Sequence, residues 1–269
     1  MDQQQLIQRI TEEVVSKILS GGGGGSQSTA NQVASAPGTA SQPGSSNPAD
    51  LAKYIDHTLL KPDAPAAAFD KLCDEAVQYE FKSVCVNSSR VAYVARKLQG
   101  TSVDVCSVVG FPLGAMTTRS KAFETREAIS DGASEIDMVL AVGALKSGEL
   151  RYVEEDIRAV RRATRSTTVL KVIIETAMLT QEEKVIACQL SKKAGADFVK
   201  TCTGFGGGGA TAEDLSLMRS VVGPTMGVKA SGGIRDYDKA VLVLGAGANR
   251  IGAVSSVAIV TGTKGSGSY

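Results

Sequence analysis

Two lysines are placed where lysine is uncommon. Lys200 interrupts the apolar run Phe198-Val199-Lys200-Thr201-Cys202 just ahead of a glycine-rich turn, Gly204 to Gly209. One strand-helix unit later, Lys229 does the same in Gly227-Val228-Lys229-Ala230-Ser231, ahead of Gly232-Gly233. A lysine is almost never fully buried unless something pairs with it or uses it. Two readings of Lys200 are open. It is a structural lysine paired with a buried carboxylate, or it is a nucleophile that forms a Schiff base with a carbonyl, which requires an uncharged amine. A neighbouring cation favours that uncharged form, and Lys229 is placed to be that cation. Asp137, a carboxylate within Ile136-Asp137-Met138-Val139, is either a counter-ion to a lysine or a proton relay beside an imine carbon, and the two roles are compatible. Lys171 and Glu175, at the two ends of Lys171-Val172-Ile173-Ile174-Glu175, could belong to the same network, and the sequence does not rank them.

The glycines point to a second kind of chemistry. Gly204 to Gly209, Gly232-Gly233, and Gly252 followed by Ser255-Ser256 each follow one of the last three expected strands. Backbone N–H groups in such turns bind phosphate. One glycine-rich turn is usually only a turn, but three in succession suggest a phosphate cradle. Cys85 and Cys202 read as small buried hydrophobes. His57, the only histidine, reads as a structural one, and Asp56 and Thr58 beside it are candidate contacts for substrate hydroxyls. Tyr269 ends a Gly-Ser tail of a kind that is disordered by default.

Positioning these residues requires strands that alternate with helices. Strands are expected near Tyr54–His57, Ser83–Asn87, Asp104–Val109, Glu135–Leu140, Val169–Glu175, Phe198–Cys202, Gly227–Ala230 and Arg250–Val254. The helices carry their own punctuation. Thr180-Gln181-Glu182-Glu183 is a capping box whose helix ends in Lys192, Lys193 and Gly195, and Thr211 starts another with Leu215, Met218 and Val222 on its inner face. Eight strand-helix units over about 220 residues predict a parallel (β/α)8 TIM barrel, with the active-site face at the C-terminal ends of the strands. Gly132-Ala133-Ser134, Gly195-Ala196-Asp197 and Gly247-Ala248-Asn249 recur ahead of three strands, and counting from them places Asp137, Lys200 and Gly252 at similar heights.

Composition narrows the function class. The chain has 269 residues, a net charge of +1 and a hydrophobic fraction of 43%, which suits a globular protein and argues against nucleic acid as a partner. No apolar run is long enough to span a bilayer, and the N-terminus lacks the basic start and apolar core of a signal peptide, so a cytoplasmic location is expected. Five cysteines without a C-x-x-C pair, and a single histidine, indicate neither a disulfide framework nor a metal site. Neither a metal nor a cofactor is expected, and lysine and carboxylate chemistry must carry any activity.

With these residues in view, the chain from about residue 50 resembles deoxyribose-phosphate aldolase, a family of class I aldolases built on a (β/α)8 barrel. The likeness rests on Tyr54-Ile55-Asp56-His57-Thr58-Leu59-Leu60-Lys61-Pro62, Ser83-Val84-Cys85-Val86-Asn87, Glu135-Ile136-Asp137, Leu170-Lys171-Val172-Ile173-Ile174-Glu175-Thr176, Lys200-Thr201-Cys202-Thr203-Gly204-Phe205 and Lys229-Ala230-Ser231-Gly232-Gly233-Ile234-Arg235. It implies reversible cleavage of 2-deoxy-D-ribose 5-phosphate to D-glyceraldehyde 3-phosphate and acetaldehyde. It assigns the Schiff base to Lys200, the neighbouring cation to Lys229, and proton transfer to Asp137 with Lys229. Asp56, Thr58 and Cys85 match substrate-lining positions, and Gly204, Gly232, Gly233 and Gly252 match the phosphate cradle, with Ser255 beside it. Tyr269 matches a C-terminal tyrosine that moves a proton in some members, which revises its default reading. The chain departs from the family at Val254, where a small hydroxyl residue is usual, so phosphate binding is weakened there or supplied by a neighbouring serine.

Residues 1–20 lie outside that likeness. At 100° per residue, Leu6, Ile7, Ile10, Val14 and Ile18 fall within an arc of about 120°, opposite Arg9, Glu12, Glu13 and Ser16. Such a helix is marginal alone and needs a partner for its apolar face. Residues 21–49, rich in Gly, Ser and Pro, read as a flexible linker, so the helix is expected to be tethered rather than integrated with the domain at 50–269. The extension resembles the encapsulation peptides that carry enzymes into bacterial microcompartments, which implies a shell protein as partner and a location inside such a compartment. A homodimer is left open. The competing readings are an imine-forming aldolase with a changed aldehyde substrate, and an inactive cargo or scaffold protein in which residues 1–20 alone do the work.

Overall fold

The computed structural model describes residues 3–19 and 47–265. The expected linker, apart from residues 47–49, and Tyr269 lie outside the described residues. The first element is a helix, α1 (Gln3–Leu19). A 3-10 turn at Pro48–Tyr54, capped by the Asn47 side chain, then leads into β1 (Ile55–Leu59) and α2 (Ala66–Gln78). The alternation continues through β2 (Ser83–Val86), α3 (Val91–Lys97), β3 (Asp104–Val109), α4 (Thr118–Ser130) and β4 (Glu135–Val139). After two helices, α5 (Val142–Lys146) and α6 (Leu150–Ala163), come β5 (Val169–Ile173), α7 (Gln181–Lys193), β6 (Phe198–Lys200) and α8 (Ala212–Val222). The chain finishes with β7 (Gly227–Ser231), α9 (Tyr237–Gly245), β8 (Arg250–Ala253) and α10 (Ser256–Val260).

All eight strands are parallel, and β1 pairs with β8, closing the barrel expected from the alternation. The strands are shorter than the apolar runs that encode them. β6 stops at Lys200 and β5 at Ile173, where the chain turns off into the active-site loops.

The period of two along each strand divides the core. Ile136, Met138, Leu170, Val172, Val199, Val228 and Ile251 join the large apolar layer between strands and helices. The alternate positions, Asp137, Lys171, Lys200, Lys229 and Arg250, are buried and polar. Leu60, Cys85, Cys106 and Val108 form a separate small apolar cluster. Strands buried on both faces read as continuous apolar runs, which is why the inward polar residues are conspicuous in the sequence.

Helix ends follow their local signals. Thr180 accepts from the Glu183 N–H while Glu183 reaches back to the Thr180 N–H, closing the capping box of α7. Thr211 caps α8 in the same way through Asp214 N–H. The helix α1 departs from its expected independence. It lies along α7, with Ile10 buried, Ile7 half-buried against the core, and the Thr11 hydroxyl accepting a hydrogen bond from the Gln189 amide. Arg9, Glu12, Glu13 and Ser16 face solvent. An apolar stripe on a marginal helix takes the nearest complementary surface, and here that surface is the barrel's own.

Candidate active site

The hydrogen-bond ladder pairs Asp137 with Lys171, Lys171 with Phe198, and Lys200 with Lys229. Lys200 is therefore two residues further along its strand than the row of Asp137, and the equal heights inferred from the repeat do not hold along the ladder. The length of the lysine side chain closes the gap. Lys200 Nζ donates to Asp137 Oδ2 at 2.8 Å, and Lys229 Nζ donates to the same oxygen at 2.8 Å. The other oxygen, Oδ1, accepts from Lys171 Nζ at 2.8 Å and from the Cys106 thiol at 3.2 Å.

The network extends down the lumen. Lys171 also donates to Glu135 Oε2 at 2.5 Å, Lys229 donates to Asp56, and Arg250 donates to Asp56 Oδ1 at 2.6 Å and to both oxygens of Glu135. Four basic side chains thus meet three carboxylates, all of them buried. Their charges do not cancel while every group is ionised. An uncharged amine at one basic position restores the balance, and excess charge is costly where water is excluded. Lys171, Lys229 and Arg250 each contact at least two carboxylates, whereas Lys200 contacts Asp137 alone. Lys200 is the member of the network with the fewest ion pairs.

The surrounding groups are held in their charged states. Burial alone would push the Asp137 carboxyl up, but Lys171, Lys200 and Lys229 overrule it and hold the carboxyl well below the usual range. Asp56 is likewise lowered, against burial, by Arg250 and Lys229. Burial would lower Lys229 and Lys171. Asp137 and Asp56 reverse this for Lys229, and Asp137, Cys106 and Glu135 for Lys171, so both ammonium groups lie above their ordinary range. Cys85, Cys106 and Asp137 place possible ligand atoms within 4.8 Å of one another, but the carboxylate there is already hydrogen-bonded to three lysine side chains, two of them held as ammonium groups, an environment that repels a cation.

Beyond the strand ends, Gly204, Gly207–Gly209, Gly232, Gly233, Ile234, Arg235, Val254 and Ser255 line a cavity of about 320 Å³. The glycines after β6 and β7 are in contact, with Ala210 N–H donating to Gly232 O at 3.0 Å. Gly232 has φ +92°, and a Cβ there would lie 3.1 Å from the Gly209 Cα, so a side chain would be strained by the backbone and crowded by Gly209. Glu175 supports this wall from below. It adopts the left-handed conformation at φ 57° and accepts from the Thr203 N–H and hydroxyl.

Set against the sequence expectations, Lys200, Asp137 and Lys229 converge, and Asp56 joins them through Lys229. Thr58 and Cys85 are buried neighbours on β1 and β2, and the Thr58 hydroxyl donates to Asp56 O at 2.8 Å. Gly204, Gly232, Gly233 and Ser255 line the cavity, but Gly252 does not. It packs against the network instead, where a Cβ would lie 2.9 Å from Ser231 Oγ and 3.1 Å from Lys229 Cε. Its missing side chain makes room for Lys229. Of the two unranked residues, Lys171 enters the network and Glu175 supports the glycine loop. Sequence reasoning gave no role to Arg250, Glu135 or Arg235. Alternation was the available signal, since Arg250 and Glu135 each lie two residues from a position already singled out, on the same face of the strand.

The family model described as DeoC/LacD family aldolase matches residues 51–262. The deoxyribose-phosphate aldolase of Brevibacillus brevis is 60% identical over 219 residues, 81% of this chain and 99% of the relative. Deoxyribose-phosphate aldolase 1 of Oceanobacillus iheyensis is 58% identical over 220 residues, 82% of this chain and 100% of the relative. Among solved structures, the tetrameric deoxyribose phosphate aldolase of Aeropyrum pernix superposes with a TM-score of 0.75 at 34% identity, over 80% of this chain and 91% of that one.

Proposed function

The chain belongs to the DeoC/LacD family of aldolases, and from that premise we propose that it is a class I aldolase that reversibly cleaves 2-deoxy-D-ribose 5-phosphate to D-glyceraldehyde 3-phosphate and acetaldehyde. The observation that carries this reading is the charge imbalance around Lys200, a buried lysine with one carboxylate contact among better-paired cations.

Lys200 Nζ adds to the C1 aldehyde of the open-chain sugar, and loss of water leaves a protonated imine. Removal of the C3 hydroxyl proton lets the C2–C3 bond break. Its electron pair moves into the iminium, releasing D-glyceraldehyde 3-phosphate and leaving an enamine on Lys200. A proton delivered to C2, followed by addition of water at C1, frees acetaldehyde and regenerates the amine. Asp137, held ionised and bonded to both Lys200 and Lys229, is suited to accept and return protons, with Lys229 as the cation that favours a neutral Lys200. Asp56 anchors Lys229, and Thr58 and Cys85 line the sugar side. Gly204, Gly232, Gly233, Arg235 and Ser255 receive the phosphate, and Tyr269 is assigned a part in moving the C2 proton.

Borohydride reduction in the presence of acetaldehyde should add mass to the peptide carrying Lys200. Labelling at another lysine overturns the assignment. One observation favours a second reading of the substrate. Val254 contributes an apolar side chain to the cavity, so a preference for less phosphorylated aldehydes is tested by comparing turnover of phosphorylated and free deoxyribose.

For the rest of the chain we propose three parts: a helix at 1–20, a linker at 21–49 and the aldolase barrel at 50–269. The helix lies outside the family match, has a polar face in solvent, and is read as an encapsulation peptide that takes a microcompartment shell protein as partner. No helix among the described residues is long and apolar enough to cross a membrane. Assembly of several copies is proposed by analogy with the tetrameric Aeropyrum pernix relative.

A further inference from the structure

His57 points away from the ionic network, since Asp56 and Thr58 on either side of it take the inward positions of β1. It is buried, and both ring nitrogens are engaged. Nδ1 lies 2.9 Å from Ser256 Oγ at the start of α10, and Nε2 lies 2.8 Å from Glu75 Oε2 on α2. Ser256 Oγ in turn donates to Ala253 O at 2.9 Å, at the end of β8. These two residues bracket Val254 and Ser255, the β8 contribution to the glycine-lined cavity. In the ladder His57 is the direct partner of Ala253.

From this relay, Glu75 to His57 to Ser256 to Ala253, we propose that His57 is a positioning residue for the phosphate end of the substrate. It holds the Val254–Ser255 turn from behind without touching the substrate. The inference rests on the cavity being the phosphate site.

The hydrogen bonds explain why a histidine is suited to this position. A histidine ring presents a polar nitrogen on each of two sides, so one side chain ties Ser256 on α10 to Glu75 on α2 while Ser256 reaches Ala253 O. The contact with His57 holds the Glu75 carboxyl below its usual range. The Phe81 ring packs on His57 at 5.0 Å between centroids, and Lys71 lies 3.7 Å from Glu75.

The test separates positioning from general stability by using two substrates. His57→Leu should raise KM for deoxyribose 5-phosphate by about threefold to tenfold, the size of a lost buried hydrogen bond. The reaction of free deoxyribose, with no phosphate to seat, should lose less. His57→Asn, which restores a polar group near Nδ1, should recover part of the effect. Ser256→Ala and Glu75→Gln should change the same KM in the same direction, and they carry the test if His57→Leu does not fold. A wild-type enzyme indifferent to the phosphate overturns the substrate assignment itself. Discrimination by the wild type that survives unchanged in the soluble variants, or an equal loss on both substrates, overturns the role of His57 alone.

Discussion

Asp137 makes more polar contacts in the lumen than its size suggests, with three lysine side chains and a thiol sharing its two oxygens. Asp137→Asn should lower the unfolding free energy by about 3–5 kcal/mol, the cost of leaving buried cations short of a partner, as read from a urea midpoint. Turnover should fall by about a hundredfold or more through loss of the proton carrier. The pH dependence has a definite sign at both ends. Asp137 and Asp56 are depressed in the folded protein, so their stabilisation is complete above the unfolded value of about 3.9 and is lost as pH falls toward the folded values. Lys171 and Lys229 are elevated, so theirs is complete below about 10.4 and is lost as pH rises through the folded values. Unfolding free energy measured against pH should therefore be level between about 5 and 9 and fall on both sides, with a shallower acid limb in Asp137→Asn. An unchanged acid limb would contradict the assignment of that charge.

At the scale of elements, the loops after β6 and β7 form a single wall because their glycines touch. Gly232→Ala should raise KM for deoxyribose 5-phosphate more than for free deoxyribose, since the added methyl meets Gly209 and strains a left-handed turn. Equal effects on the two substrates would place the phosphate elsewhere. The capping box of α7 is independent of the site. Thr180→Ala should cost about 1 kcal/mol in thermal or chemical unfolding and leave the kinetic constants alone. Caps, strand runs and the strand-helix order were legible in the sequence because each is a local signal. Strand ends were less so, since Ile174 after β5 and Thr201-Cys202 after β6 are still apolar or small beyond the last strand residue.

For the whole molecule, the proposed shell protein would compete with α7 for the apolar face of α1. Its apolar face is seated on α7 through Ile7 and Ile10, so binding a shell protein requires it to leave. The relatives that match end to end correspond to about 220 residues of this chain, and the barrel is complete without the extension. Removing residues 1–46 should leave kcat and KM in solution within about twofold, as expected for a change far from the site, and abolish co-sedimentation with shell protein. Substituting Gln189 and the α7 face it belongs to should strengthen shell binding, by removing the competing surface. Loss of activity on truncation would make α1 part of the catalytic fold.

Taken alone, the sequence determined the barrel, the lysines at 200 and 229, the carboxylate at 137 and the glycine turns, because period, punctuation and a charge within an apolar run are written locally. Only the tertiary structure decided which charges meet. The stagger of the ladder brought Lys171 onto Glu135 and Asp137 and Arg250 onto Asp56 and Glu135, set Gly252 beside Lys229 rather than in the glycine-lined cavity, and joined His57 to Ser256 across the closure of the barrel. Those contacts join residues far apart in sequence, and their geometry follows from how eight tilted strands close on one another, which no local pattern records.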